Sequence, residues 1–270
     1  AASDPGRLIN LSILTALTPS EDVFTMGYVV GGAGTDGNKP ILIRAVGPSL
    51  VPIGVADVLD DPKLELFAGE TKSGDSDNWG GSTQLSDAMA RVGAFAFTSV
   101  ISRDAAALAS IATANNSVRI SSANMGIGTV LAELYDSTPA ADFRTSTPRL
   151  VNVSVLKHLG EGLTVGFVLG GSTPTTVLVR AIGPTLGTPL FGLDGVVADP
   201  QLTLFLDSTT VGTNDNWDGT AALTAAFARV AAFDLPAASR DAALVTTLQP
   251  GNYTVTVTGV GNTSGIAIVE

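Results

Sequence analysis

The chain has no cysteine, a single histidine (His158), and only 14% charged residues among its 270. Each scarcity excludes something. Without cysteine there are no disulfides, no thiolate metal sites and no thiol nucleophile, although the compartment stays open because many exported bacterial proteins avoid cysteine. With one histidine and no Gly-x-Ser-x-Gly elbow, nucleophilic hydrolysis has almost nothing to work with. Fourteen Lys and Arg stand against 25 Asp and Glu, for a net charge of −11 and a pI near 4.4. No basic run interrupts that balance, which argues against nucleic acid, since phosphate recognition needs clustered cations. No apolar run reaches the about 18–20 residues of a membrane span. These absences predict a chain that is not an enzyme, binds no nucleic acid and does not span a membrane.

What is present is the same text written twice. Arg7-Leu8-Ile9-Asn10-Leu11-Ser12 returns as Arg149-Leu150-Val151-Asn152-Val153-Ser154, and Ile43-Arg44-Ala45-Val46-Gly47-Pro48 as Val179-Arg180-Ala181-Ile182-Gly183-Pro184. Asp61-Pro62, Asp77-Asn78-Trp79, Arg91-Val92 and Ser102-Arg103-Asp104 return as Asp199-Pro200, Asp215-Asn216-Trp217, Arg229-Val230 and Ser239-Arg240-Asp241. Arg7 and Arg149 stand 142 apart, Arg44 and Arg180 136, Asp61 and Asp199 138, and Arg103 and Arg240 137. The copies therefore differ by small insertions, and the period is that of a whole domain, because solenoid repeats run to about 20–50 residues.

Within each copy the pattern is mostly of period two. Runs at 23–30 and 163–169 are β-rich. In the next run Leu42, Arg44 and Val46 share one face and Ile41, Ile43 and Ala45 the other, with 176–182 as the counterpart. Residues 64–67 and 202–205 read as strands, and Tyr253, Val255 and Val257 alternate with Thr254, Thr256 and Thr258. One segment differs: Leu85, Ala88, Met89 and Val92, and again Leu223, Ala226, Phe227 and Val230, have helical spacing. Thr83 or Ser82, and Thr220, are candidate N-caps. The expected fold is all-β: two tandem antiparallel β-sandwiches of jelly-roll type, each with one short helix. The expected domains are 1–136 and 149–270, joined by a Ser/Thr/Pro linker at 137–148.

The run from Ile43-Arg44-Ala45-Val46-Gly47-Pro48 through Asp61-Pro62, Asp77-Asn78-Trp79 and Gly128 to Asp136 resembles a tandem repeat of large secreted bacterial proteins to which no activity is assigned. The resemblance covers essentially all of both copies. Asp199-Pro200 to Trp217, with Pro250-Gly251-Asn252-Tyr253, is also distantly similar to the bacterial pre-peptidase C-terminal domain, a secreted β-sandwich appended to hydrolases. Together these likenesses imply export and an all-β fold. Copy two departs by stopping at Glu270 where copy one continues Leu134-Tyr135-Asp136, so its last strand is expected to be short or completed by another chain. Ala1-Ala2-Ser3 has the small residues of a signal-peptidase cut, which predicts an extracellular or cell-surface location reached through a cleaved signal peptide.

Asp75, Asp77 and Asn78, with Asn214, Asp215 and Asn216, put oxygen donors together on a loop after a strand. They suit either a structural calcium ion or Asx turns that bond their own backbone; no other cofactor is required. Trp79 and Trp217 are either core plugs or sugar-stacking platforms. Arg44 and Arg180 lie mid-strand among apolar residues and must be paired if buried, with Asp61 and Asp199, or Asp104 and Asp241, as the partners in view. Gly31 to Lys39 lacks the Lys-Ser/Thr ending of a phosphate loop and reads as a hairpin turn. Asn10, Asn115, Asn152, Asn252 and Asn262 each begin an Asn-x-Ser/Thr triplet, and glycans there are expected on exposed loops.

The mean hydropathy of +0.36 with so little charge points to apolar surface covered by neighbouring copies. The sequence thus predicts a self-assembling structural subunit of an extracellular filament or surface layer. Packing is head to tail through Arg7, Leu8, Ile9, Leu11 and Ile13 at one end and Ile266 and Ile268 at the other. The competing reading is a carbohydrate-binding or adhesion module that docks on polysaccharide.

Overall fold

In a computed structural model, which describes residues 4–112, 114–160 and 162–270, the chain divides after Val153 into two compact units. The first contains β1 (Arg7–Leu17), β2 (Val23–Gly31), β3 (Lys39–Val46), β4 (Pro62–Ala68), β5 (Thr71–Ser76), α1 (Thr83–Val92), β6 (Ala105–Ile111), β7 (Ala114–Ser122) and β8 (Gly128–Asp136). A further strand, β9 (Arg149–Leu159), runs across the division. The second unit continues with β10 (Leu163–Gly170), β11 (Thr175–Ile182), β12 (Pro200–Leu206), β13 (Thr209–Asn214), α2 (Ala221–Val230), β14 (Ala242–Leu248), β15 (Gly251–Gly259) and β16 (Gly265–Val269).

In the first unit, one antiparallel sheet has the order β1-β8-β3-β6 and the other β2-β7-β4-β5. In the second, the orders are β9-β16-β11-β14 and β10-β15-β12-β13. First strand beside last and second beside seventh is the jelly-roll arrangement, so the all-β assignment holds in both copies. Even an irregularity is duplicated: the register slips between Leu66 and Phe67 and again between Leu204 and Phe205, a bulge that sharpens the local twist.

Alternation explains which faces are buried. Tyr253, Val255 and Val257 lie inside while Thr254, Thr256 and Thr258 lie at the margin, as a one-faced strand requires. β3 is different, because Ile41, Leu42 and Ile43 are all fully buried. Its outer face is covered too: Leu42 and Val46 join Leu50, Trp79, Ala88, Met89 and Phe97 in a second core beneath α1. Ile182, Leu186, Trp217, Leu223, Phe227 and Leu235 form the equivalent cluster beneath α2. Each unit is therefore three layers deep, and much of the apolar content that pointed to covering by neighbouring copies is used inside the unit itself.

Ser82 caps α1 by accepting from the Leu85 amide at 3.4 Å, and Thr220 caps α2 by accepting from the Leu223 amide at 3.4 Å, satisfying donors the helix leaves open. Both helices end in the left-handed conformation, at Gly93 (φ 73) and at Ala231 (φ 56). Segment 137–148 is packed down on the first unit. Ser137 and Phe143 are buried, the Arg7 guanidinium sits 3.8 Å from the Phe143 ring centre, and Asp36 N donates to Ser146 O at 3.0 Å.

Candidate functional site

The motifs shared by the two copies converge on the outer layer of each unit. Arg44 is fully buried; its Nε donates to Glu133 Oε2 at 2.7 Å and its Nη1 to Phe95 O at 2.5 Å, with the Phe95 and Phe97 rings 4.5 and 4.8 Å away. Tyr135 Oη donates to the other Glu133 oxygen at 2.7 Å. Burial first, then the Glu133 carboxylate, pushes that hydroxyl above its ordinary range, so it remains a donor. In the second unit Arg180 pairs with Glu270 and donates to Phe233 O at 2.6 Å, with Phe233 and Phe227 beside it. The carboxylate partners are thus Glu133 and Glu270, not the aspartates considered from the sequence. The reason is register: Arg44 stands opposite Glu133 where β3 pairs with β8, while the aspartates serve elsewhere.

Asp104 and Asp241 are fully buried and hold the turn after β3 and β11. Asp104 Oδ1 accepts from the amides of Gly47 at 2.8 Å and Ser49 at 3.2 Å, and Oδ2 from the hydroxyls of Ser49 and Ser102. Asp241 repeats this with Gly183 N at 2.8 Å, Thr185 N at 3.4 Å and the Thr185 hydroxyl. The neighbouring arginines reach outward, Arg103 to Asp61 at 3.7 Å and Arg240 to Asp199 at 3.1 Å. Because both arginines are mostly exposed, these pairs add little stability. Burial first, then repulsion from Asp77, raises the Asp61 carboxyl above its usual range, against the pull of Arg103. Asp104→Asn is expected to cost about 1–3 kcal/mol in denaturant unfolding, because an amide keeps one accepting oxygen and turns an NH2 donor toward the two donors at the other position.

Trp79 and Trp217 are core residues. Trp79 Nε1 donates to Ser99 O at 3.1 Å and its ring meets Phe97 edge-on. Trp217 Nε1 donates to Pro236 O at 3.0 Å and its ring lies against Phe227. Neither presents a face to solvent, so the sugar-stacking reading is corrected for both.

The oxygen-rich residues named as calcium ligands are engaged in different ways. Asp75 lies in β5 and pairs with Lys72 at 3.0 Å, which holds its carboxyl below the ordinary range. Asn214 uses both ends of its amide on the backbone, accepting from Ala243 N and donating to Asn216 O, each at 2.8 Å. Asp77, Asn78 and Asp215 are exposed and Asn216 is half-buried. Among the described residues no group of three or more His, Cys, Asp or Glu is placed to hold a metal ion.

Of the five Asn-x-Ser/Thr asparagines, Asn10, Asn115, Asn152 and Asn252 lie within β1, β7, β9 and β15, and only Asn262 occupies a turn. The expectation of loop sites therefore applies to one; the others arise because alternating Thr and Ser on strands make the triplet common. The strands named for assembly are used inside the units: Leu11 faces Leu134 and Ile13 faces Ala132 on β8, and Ile266 and Ile268 face His158 and Leu156 on β9. Leu11 and Ile13 are buried, and Arg7, Leu8 and Ile9 are half-buried at the start of β1.

A shallow hollow of about 630 Å³ lies in the first unit beside Leu17, Val58 and Ile127, with Asp57 and Asp60 on its wall. No helix among the described residues is long and apolar enough to cross a membrane. No family model matches the chain, and no curated protein matches it. Among solved structures, one described as PNGF-II is 8% identical with a TM-score of 0.23, over 97% of this chain and 65% of that one. The chain thus spans just under two thirds of that protein, and the likeness is too slight to carry an argument.

Proposed function

We propose that this chain is a structural, self-assembling subunit of an extracellular filament or surface layer, packing head to tail. The supporting observation is the use to which the repeated motifs are put. Arg44 and Arg180, Asp104 and Asp241, Trp79 and Trp217 are all buried in the second core of their unit, where they fix strands to turns. These six of the residues that both copies keep hold each unit together internally. The resemblance to secreted bacterial repeats fits the same reading. The adhesion reading loses the two platforms it named.

With Leu11 and Ile13 committed to the core, the assembly contacts move to large apolar side chains left outside, among them Ile101 (87% exposed) and Leu190 (75% exposed). Electron microscopy of the purified chain is expected to show regular filaments or sheets; dispersed particles at every concentration would overturn the proposal. The double variant Ile101→Asp with Leu190→Asp should keep its unfolding free energy within about 0.5 kcal/mol of the parent while losing its polymers.

A further inference from the structure

The first unit carries a buried ion pair whose lysine is replaced by threonine at the equivalent position of the second. Lys39, at the start of β3, is fully buried, and its Nζ lies 2.7 Å from Asp136 Oδ1 at the end of β8. Thr138 Oγ1 accepts from the same Nζ at 3.1 Å. Arg7 Nε stands 3.6 Å from the other carboxylate oxygen, Oδ2, and is itself tied to Asp4. The side chains of Lys39 and Asp136 are 0% and 2% exposed. At the position equivalent to Lys39 the second unit has Thr175.

We infer that Lys39 and Asp136 are placed to condense into an intramolecular amide, a covalent staple between β3 and β8 in a chain that has no cysteine with which to make one. The inference is independent of how the chain assembles. Three features carry it. An amine and a carboxyl group are held in hydrogen-bond contact by two strands of one sheet, which supplies the proximity that makes such intramolecular reactions fast. Both are sealed from water, so the water released is not readily returned. Arg7 faces the oxygen on which negative charge would develop, the place where a fixed cation lowers the barrier to acyl transfer.

The proton inventory closes within the pair. In the first step one proton passes from Nζ to Oδ1 across the 2.7 Å contact. The Nζ lone pair then adds to Cγ, and the carbonyl electron pair moves onto Oδ2, facing Arg7. As the carbonyl re-forms, the Cγ–Oδ1 bond breaks, and Oδ1 leaves as water with the proton it received and a second one from nitrogen. One amide and one water result, with no oxidant or cofactor. Burial, with smaller contributions from Arg7 and Arg149, holds the Lys39 ammonium below the ordinary lysine range, against the opposing pull of Asp136, which favours the neutral amine the reaction needs.

Intact mass spectrometry of the purified full chain under denaturing conditions tests this directly. The expected mass is one water below that of the sequence, with fragment ions placing the link between Lys39 and Asp136. Lys39→Arg, whose guanidinium is not a nucleophile but keeps the charge, should show its full sequence mass and a lower melting temperature. A native chain at full sequence mass would overturn the inference. So would a water loss that persists in Lys39→Arg, since it would then arise from another site.

Discussion

Arg44→Met should lower the unfolding free energy of the first unit by about 3–5 kcal/mol, the cost of leaving a buried charge without its partner. The stranded group is Glu133, whose side chain is only 6% exposed. It would keep Tyr135 Oη as a donor but lose the 2.7 Å bond from Nε and the adjacent Nη2 contact. Arg180→Met should cost less, because Glu270 is 13% exposed and can recruit water. The check is denaturant unfolding followed in each unit separately, using Trp79 and Trp217 fluorescence with one tryptophan replaced at a time. The double variant Arg44→Met with Glu133→Leu should recover much of the loss, as buried ion pairs often can be replaced by apolar groups at little net cost. A single Arg44→Met variant as stable as the parent would show that the pair contributes nothing.

Gly47→Ala is expected to be as damaging, at about 3 kcal/mol or more, the upper end of what overpacking costs. A Cβ there would lie 1.9 Å from the backbone oxygen of Leu59, and at Gly183 it would lie 2.2 Å from that of Val197. The glycine is required for space, not conformation, since its φ is −124. Gly93→Ala is the contrasting control. Gly93 has φ 73 with nothing within 4 Å of the added carbon, and the second unit already has Ala231 at that position with φ 56. Its cost should stay near the about 1–2 kcal/mol of a left-handed alanine. Thermal melts of the two variants in parallel separate crowding from backbone strain.

The Gly-Pro motif was visible in the sequence twice over, but not what it was for. Periodicity marks which residues alternate and which follow a helical spacing, so Leu85 to Val92 and Leu223 to Val230 read as helices, with Thr83 or Ser82, and Thr220, as candidate caps; the structure selects Ser82 over Thr83. Pairing across sheets leaves no such trace. Arg44 and Glu133 are 89 residues apart, and only the observation that Glu133 and Glu270 occupy the same place in the two copies could have nominated them. The second core was hidden for a related reason. An all-buried run such as Ile41-Leu42-Ile43 carries no alternation to say what covers its outer face, and a surplus of apolar residues reads the same whether a helix or a neighbouring molecule covers it. Trp79 was ambiguous because a tryptophan after a turn looks the same in sequence whether its ring points in or out.

The pairing of β1 with β8 has a consequence in time. Asn10 meets Tyr135 and Leu17 meets Gly128, so the first strand of the unit cannot find its neighbour until the last has been made. At synthesis rates of about 5–20 residues per second that interval is on the order of 10 s, far longer than a hairpin needs to form. During it, β1 carries Ile13 and Leu17 with no partner strand to cover them, and every contact that closes the sheet is one of long sequence separation, the kind that folds slowly. The β2-β7-β4-β5 sheet is complete in sequence by Ser122, so the seam between β1 and β8 is the last strand pairing of the first unit to become possible, and it waits on residues 128–136.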